Sequence, residues 1–313
     1  MKTVAIVNPT AGYRRAPRDW PRLLASLGEP GARVSTWWTE WPGQAETLAA
    51  RARREGFDRV VAVGGDGTLL EVVNGLWWES REPLPSVGVV PFGTGCDYVR
   101  NFDLGPTLRD QVITALGEAT LMVSLGLARL RGFDGQPRQR VFVNVLGLGF
   151  DARVIAGFRQ QRLRLPGKAG YFLSGFKELG RLRHHRIIGE LDGRPLKAEA
   201  MLVAIGLGRY FGGGMMITPG ASPQASHFQV VLGQKLSRLE VLTLLPRLYA
   251  GQHLDHPQIT ADYAGNIKID ADPPAYVEAE GELEGFTPLE VAIIPRALRV
   301  AAPSLSKLLL LRP

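Results

Sequence analysis

Three glycine-bearing loops, each directly after a short apolar run, hold the residues whose types and spacing could do chemistry. They are Asn8-Pro9-Thr10-Ala11-Gly12, Gly64-Gly65-Asp66-Gly67-Thr68 and Gly93-Thr94-Gly95-Cys96-Asp97. A polyphosphate has to be approached by backbone N–H groups, and glycine permits this because it lacks Cβ and takes positive φ. A helix beginning near Leu69 would point its positive end at such an anion. Asp66 is no direct phosphate ligand, since like charges repel. It suits a carboxylate that holds Mg²⁺, often through water, or that positions a nucleophile. Thr68 either caps the helix or gives its hydroxyl to phosphate. Taken alone, the loop reads equally well as a tight strand–helix turn with a solvated aspartate. Asn8 can bond ribose or phosphate, Gly12 gives the chain room, and Thr94 offers another hydroxyl. Asp97 supplies a second carboxylate, which either shares one hydrated cation with Asp66 or N-caps the segment that follows.

The elements that must position these loops follow from periodicity. Thr3–Val7, Arg59–Val63 and Ser86–Val90 read as buried strands, and Asp19–Leu27, Gly43–Glu55 and Leu69–Trp78 as amphipathic helices. Such alternation predicts an α/β N-terminal domain with a parallel sheet over residues 1–122. Ligands of such sheets gather at the carboxyl ends of the strands, where all three loops lie. From about residue 123 short strands dominate: Val123–Leu130, Arg140–Leu146, Ile187–Leu191, Ala200–Ile205, Phe228–Leu232, Gln258–Ala264, Ala275–Ala279 and Leu289–Ile293. With hairpin signals at Asp192-Gly193 and Ala264-Gly265-Asn266, and helices near Gly167–Leu182 and Arg238–Tyr249, residues 123–296 read as a β-sandwich. The last stretch, Ala297–Leu311, could fold back onto the first domain.

The chain has 313 residues, 45% of them hydrophobic, and a formal charge of +7. That excess favours polyanions: nucleotides, nucleic acid or an anionic membrane surface. With Cys96 the only cysteine, no intrachain disulfide can form, which suits a reducing compartment. No apolar run is long enough to span a bilayer, and the N-terminus lacks a signal-peptide core, so a cytoplasmic protein is expected. Gly147-Leu148-Gly149-Phe150-Asp151-Ala152 fits a dinucleotide fingerprint. It sits in the β-rich half without a clear βαβ unit, and is read as a turn. There is no Walker A sequence.

The loops and their order resemble the diacylglycerol kinase catalytic-domain family, soluble bacterial lipid kinases related to sphingosine kinases and more distantly to NAD kinases. The resemblance is carried by Asn8–Gly12, Gly64–Thr68 with Leu69-Leu70-Glu71, Gly93–Asp97, Asn144–Ala152 and Gly212-Gly213-Gly214-Met215. It implies an α/β nucleotide domain followed by a β-sandwich, with ATP and Mg²⁺ as cofactors and ATP in the cleft between the domains. Asn8, Pro9, Thr10, Ala11, Gly12, Thr39, Gly64, Gly65, Asp66, Gly67, Thr68, Leu69, Leu70, Glu71 and Thr94 are then expected at the ATP site. Asp66 and Asp97 would hold the catalytic metal. Glu278-Ala279-Glu280-Gly281-Glu282 corresponds to the family's Asp-Gly-Glu motif, which makes Glu282 the expected general base and puts Glu280 in the aspartate position. Without the resemblance the same residues read as an exposed acidic turn.

The sequence departs from the family in three places. Cys96 stands where Asn is usual, Glu280 replaces Asp, and Gln224-Ala225-Ser226 stands where an Asp-Asp-Gly helps bind a structural cation. Ala225 offers that cation no side-chain ligand. Arg159–Arg186 interleaves basic and apolar residues, which suits either an interfacial helix on an anionic leaflet or an ordinary packed helix. No nucleic-acid-binding motif accompanies the charge. The expected activity is phosphorylation of a lipid hydroxyl, diacylglycerol by default, at a membrane surface, with a homodimer unsurprising. The alternatives are an NAD kinase-like enzyme and a catalytically silent lipid- or nucleotide-binding protein.

Overall fold

In the computed structural model, which describes residues 1–79, 84–93, 95–160, 177–180 and 182–306, the runs rich in Val and Ile become strands. The chain divides into two units, Met1–Ser124 with Arg296–Pro313, and Leu125–Pro295. In the first unit β1 (Thr3–Val7), β2 (Val34–Trp38), β3 (Arg59–Gly64) and β4 (Ser86–Pro91) form the sheet. β1 pairs in parallel with β2 and β3, and β3 in parallel with β4. β1 and β3 are buried along their whole length, which is why their sequences are continuous rather than alternating. β2 carries no such signal because it is half exposed and pairs only with β1. Val300 extends the same sheet by pairing with Val87. Ala302, Ser304 and Ser306 are hydrogen-bonded to Ala119, Asp103 and Asn101.

Helix Asp66–Glu79 is apolar on nearly all sides, with Leu69, Leu70, Val72, Val73, Leu76 and Trp77 buried. Helix Gln44–Arg54 buries only the alanine stripe Ala45, Ala49 and Ala52 and keeps its arginines outside. Trp20 anchors the core of this unit with Val61, Val63, Val90 and Phe92. Trp38, Trp41 and Trp78 are exposed, which separates core from surface tryptophans where sequence could not.

The second unit is built from antiparallel pairs. Its strands are β5 (Thr120–Arg131, beginning in the first unit), β6 (Pro137–Phe142), β7 (Val145–Gly149), β8 (His185–Leu191), β9 (Arg194–Gly206), β10 (Tyr210–Phe211) and β11 (Met215–Met216). β12 (Phe228–Gln234), β13 (Ile259–Ala264), β14 (Asn266–Asp272), β15 (Tyr276–Ala279) and β16 (Glu282–Ala301, ending in the first unit) complete it. Several expectations need correction. The single strand expected over Arg140–Leu146 is two, split at Val143-Asn144. Ala264-Gly265-Asn266 turns the chain but makes no hairpin, because β13 pairs with β12 while β14 pairs with β8 and β16. Gly147–Ala152 is not a simple turn: β7 passes at Gly149 directly into helix Phe150–Gln160. β7 nevertheless pairs antiparallel with β9 and β15, so no βαβ dinucleotide unit exists there. The helix expected over Gly167–Leu182 falls largely outside the described residues, as does most of Arg159–Arg186.

Candidate active site

In the first unit the glycine loops meet. The N–H groups of Phe92 and Gly93 both donate to the Gly64 carbonyl, at 2.9 and 3.1 Å. Gly93 has to be glycine, because a Cβ built on it would lie 2.4 Å from the Gly65 Cα. Asn8 Oδ1 accepts from the Thr10 N–H at 2.9 Å and the Thr10 hydroxyl at 2.8 Å, which fixes the first loop as a turn. Asn8 Nδ2 donates to Thr68 Oγ1 at 3.4 Å, linking the first loop to the second. Thr39 is buried beside them, its N–H donating to the Val7 carbonyl at 3.0 Å.

Asp66 does local work that the sequence did not announce. Its Oδ2 accepts from the Asp97 N–H and its Oδ1 from the Tyr98 N–H, each at 3.0 Å. It therefore caps the short 3₁₀ helix Tyr98–Asn101 in place of Asp97, whose own side chain makes no capping bond. Asp97 is buried and lies 3.3 Å from Arg100 Nε. The two carboxylates converge over Gly95: a Cβ built there would lie 3.3 Å from Asp66 Oδ2 and 3.4 Å from Asp97 Oδ2. Among the described residues no group of three or more His, Cys, Asp or Glu gathers as a complete metal site. Mg²⁺ keeps several waters and needs only one or two carboxylates beside substrate phosphates, so this pair fits it.

Cys96 takes φ +49°, a left-handed conformation suited to Asn, and its thiol donates to the Gly93 carbonyl at 3.2 Å. Burial, then the Asp66 charge, pushes that thiol up to about 12. Of the other residues expected here, Gly12, Gly65 and Pro9 lie on the loops, Gly67 is in the first turn of helix Asp66–Glu79, and Ala11, Leu69 and Leu70 are buried in the core. Glu71 is committed to another helix: its carboxylate accepts the N–H groups of Gly43 and Ala45, both at 3.1 Å, at the start of Gln44–Arg54. Thr94 lies outside the described residues.

In the second unit β15 and β16 are joined by the two-residue turn Glu280 (φ +54°) and Gly281 (φ +84°). A left-handed Glu is unfavourable by about 1–2 kcal/mol. Here it is held by its own carboxylate, which accepts the Val143 N–H at 2.6 Å and the Asn144 N–H at 2.8 Å. The extra methylene relative to Asp gives the reach for that bond. Glu282 follows on the exposed face. The Gln224-Ala225-Ser226 segment is a backbone turn, Ala225 N–H to Ser222 carbonyl at 2.9 Å, and supplies no carboxylate.

Three groups escaped sequence reasoning. Asp151 and Glu278, 4% and 2% exposed, meet over Gly147, where a Cβ would lie 1.7 Å from Asp151 Oδ2 and 2.7 Å from Glu278 Oε1. Burial raises both acids, and the Asp151 charge raises Glu278 further, so Asp151 gives up its proton first, at about 7, and Glu278 keeps the other. Glu278 Oε2 accepts the Gly281 N–H at 2.8 Å and so steadies the acidic turn. His253, fully buried, completes the set. The only signal for these residues was a polar side chain inside an apolar stretch, as in Val277-Glu278-Ala279.

Beside them lies a pocket with about 140 Å³ of room. Its wall is apolar, formed by residues such as Val154, Met201, Phe211, Met215, Leu244 and Leu248, and is broken by Asp151 and His253.

Comparison with known proteins agrees with this architecture. Residues 2–128 match the diacylglycerol kinase catalytic domain, and residues 144–302 the YegS C-terminal NAD kinase beta sandwich-like domain. A diacylglycerol kinase of Staphylococcus haemolyticus (strain JCSC1435) is 27% identical over 298 residues, 95% of this chain and 87% of the relative. One of Staphylococcus aureus (strain MRSA252) is 27% identical over 299 residues, 96% and 91% of the two chains. Among solved structures, a diacylglycerol kinase from Bacillus anthracis str. Sterne superposes with TM-score 0.71 at 18% identity, covering 96% of each chain. Yeast NADH kinase complexed with NADH is more distant, with TM-score 0.53 at 13% identity over 96% of this chain and 83% of that one. No helix among the described residues is long and apolar enough to cross a membrane. The chain belongs to the diacylglycerol kinase family whose catalytic domain is followed by a YegS-type, NAD kinase-like β-sandwich domain.

Proposed function

We propose that this chain is an ATP-dependent lipid kinase that transfers the γ-phosphate of ATP to a lipid hydroxyl, with diacylglycerol as the default acceptor. The observation that carries the lipid reading is the apolar pocket of the second unit, which suits an acyl chain and has no use in a dinucleotide kinase. The loops built on Asn8, Gly65 and Gly93 serve the ATP phosphates through backbone N–H groups. Asp66 and Asp97 would hold Mg²⁺, which supplies neutralisation of the charge that develops on the phosphates. The acceptor hydroxyl oxygen bonds to the γ-phosphorus as the bond to the β–γ bridging oxygen breaks, and ADP leaves with that electron pair. Glu282 takes the hydroxyl proton, and Glu280 keeps the turn in place through Val143 and Asn144. We place the reaction at the cytoplasmic face of a membrane, with Arg159–Arg186 meeting anionic headgroups.

The test is transfer of radiolabelled γ-phosphate from ATP into an organic-extractable product in mixed micelles. Label in phosphorylated diacylglycerol, and none in NAD, is the expected result. Label in NAD would favour the dinucleotide kinase instead. No product with either Mg²⁺ or Mn²⁺ would leave a silent lipid-binding protein, the outcome that the Gln224-Ala225-Ser226 segment invites.

A further inference from the structure

Helix Arg238–Ala250 is more apolar than its place on the surface requires. Ser237 and Glu240 close its first turn with a capping box, and of its residues only Leu244 is buried. Val241 and Leu248, on the same side as Leu244, line the apolar pocket with it. A surface helix ordinarily turns charged residues away from such a side. Here the residues turned away are Leu239, Leu242, Pro246 and Tyr249, which follow at spacings of three, four and three and so form one stripe. Leu239 is 74% exposed, Tyr249 41%, and Pro246 is exposed as well. A single exposed leucine is ordinary, whereas a continuous apolar strip marks an interaction surface. Leu242 and Leu245 are half-buried and line the pocket, so its wall runs on to the outer stripe. Arg238 and Arg247 are exposed beside it and form no ion pair among the described residues. Glu240 is engaged by the Ser237 N–H at 2.7 Å.

The size and charge of the stripe select its occupant. From Leu239 to Tyr249 it is about 15 Å long, on a helix about 10 Å across. That falls far short of the about 800 Å² per partner that a stable protein interface needs. A lipid leaflet asks for no such matching surface, and two arginines beside an apolar stripe suit anionic headgroups above acyl chains. We infer that helix Arg238–Ala250 is a membrane-docking element, whose Leu239, Leu242, Pro246 and Tyr249 stripe enters an anionic leaflet and sets the pocket against its acyl chains. This rests on the lipid-kinase reading and gives it the surface by which a lipid reaches the pocket.

A fluorescent label tests it in the full chain. Leu239→Cys is labelled with nitrobenzoxadiazole, with Ile188→Cys, an exposed apolar site on β8, as control and the labelled wild-type protein as the Cys96 blank. Vesicles of phosphatidylglycerol and phosphatidylcholine carry doxyl-labelled lipid, and no ATP is present. The label on Leu239→Cys should be quenched by the doxyl lipid and the label on Ile188→Cys should not. In sedimentation with the same vesicles, Leu239→Asp should bind about tenfold more weakly. Arg247→Gln should lose about fivefold on these vesicles and little on phosphatidylcholine alone. Absence of quenching in Leu239→Cys overturns the inference, as does wild-type vesicle affinity in Leu239→Asp. An emission that follows protein concentration instead of lipid would assign the stripe to a second copy and overturn it equally. Phosphorylation of micellar diacylglycerol without quenching on vesicles refutes the inference alone. Quenching with no phosphorylation of any lipid refutes the kinase reading and leaves the docking helix standing.

Discussion

Asp66 is bound on both carboxylate oxygens, so Asp66→Asn has a consequence for stability as well as for turnover. The Asp97 and Tyr98 N–H groups each donate to it at 3.0 Å. Hydrogen bonds to charged groups contribute about 1.5–3 kcal/mol each, and partial exposure places these at the lower end. Asparagine keeps one acceptor and sets an NH₂ against the other amide, so about 2 kcal/mol should be lost. All 6 tryptophans lie between Trp20 and Trp78, in the first unit, so their fluorescence follows that unit alone. With a urea slope of about 1–3 kcal/mol/M, the unfolding midpoint should fall by about 1 M. Asp97→Asn is the control. It removes an ion pair at 3.3 Å to an arginine whose side chain is 43% exposed, worth about 1 kcal/mol at most. Its midpoint should fall by about 0.5 M at most, half the Asp66→Asn shift, and both variants should lose phosphoryl transfer if both carboxylates serve the cation. An Asp66→Asn midpoint within about 0.2 M of wild type would refute the clamp, the slope being what sets that resolution. So would an equal fall in Asp97→Asn.

Other expectations follow from the same geometry. The native state holds the protons of Asp151 and Glu278 more tightly than the unfolded chain, so stability of the second unit should fall as pH rises. The window opens at the ordinary carboxylate value of about 4 and, for Asp151, closes at about 7. Far-UV circular dichroism melts between pH 5 and 7 should show this slope flattened in Glu278→Gln, and an unchanged slope would remove the pair from the explanation. Glu280→Ala should speed amide hydrogen exchange at Val143 and Asn144 by more than tenfold, while Glu280→Gln, which keeps an acceptor, should spare them. Exchange unaffected in both variants would mean the turn is held by other contacts. The Cys96 thiol, pushed up to about 12, should resist alkylation at pH 8 in the native protein and react on unfolding; rapid native labelling would contradict its burial.

The phosphate loops and the strands that carry them were legible in sequence because both are local. A buried parallel strand is a continuous Val and Ile run, and a close backbone approach requires glycine, as at Gly93. β2 was missed because an edge strand that is half exposed needs no such pattern. Sequence placed Glu71 on a ligand, whereas the fold spends it on the start of helix Gln44–Arg54. It placed Asp66 beside a cation without showing that the same carboxylate caps Tyr98–Asn101. The Asp151–Glu278 pair and the buried imidazole of His253 belong wholly to tertiary structure. Their chemistry depends on burial and on which carbonyl or carboxyl stands opposite, and residues more than a hundred positions apart reveal that only when the chain has folded. The sequence by itself determined that this chain carries phosphate loops on an α/β sheet and an acidic turn in a β-rich half. Only the tertiary structure decided which of those carboxylates hold neighbouring backbone amides, as Asp66 and Glu280 do, and where the apolar pocket lies.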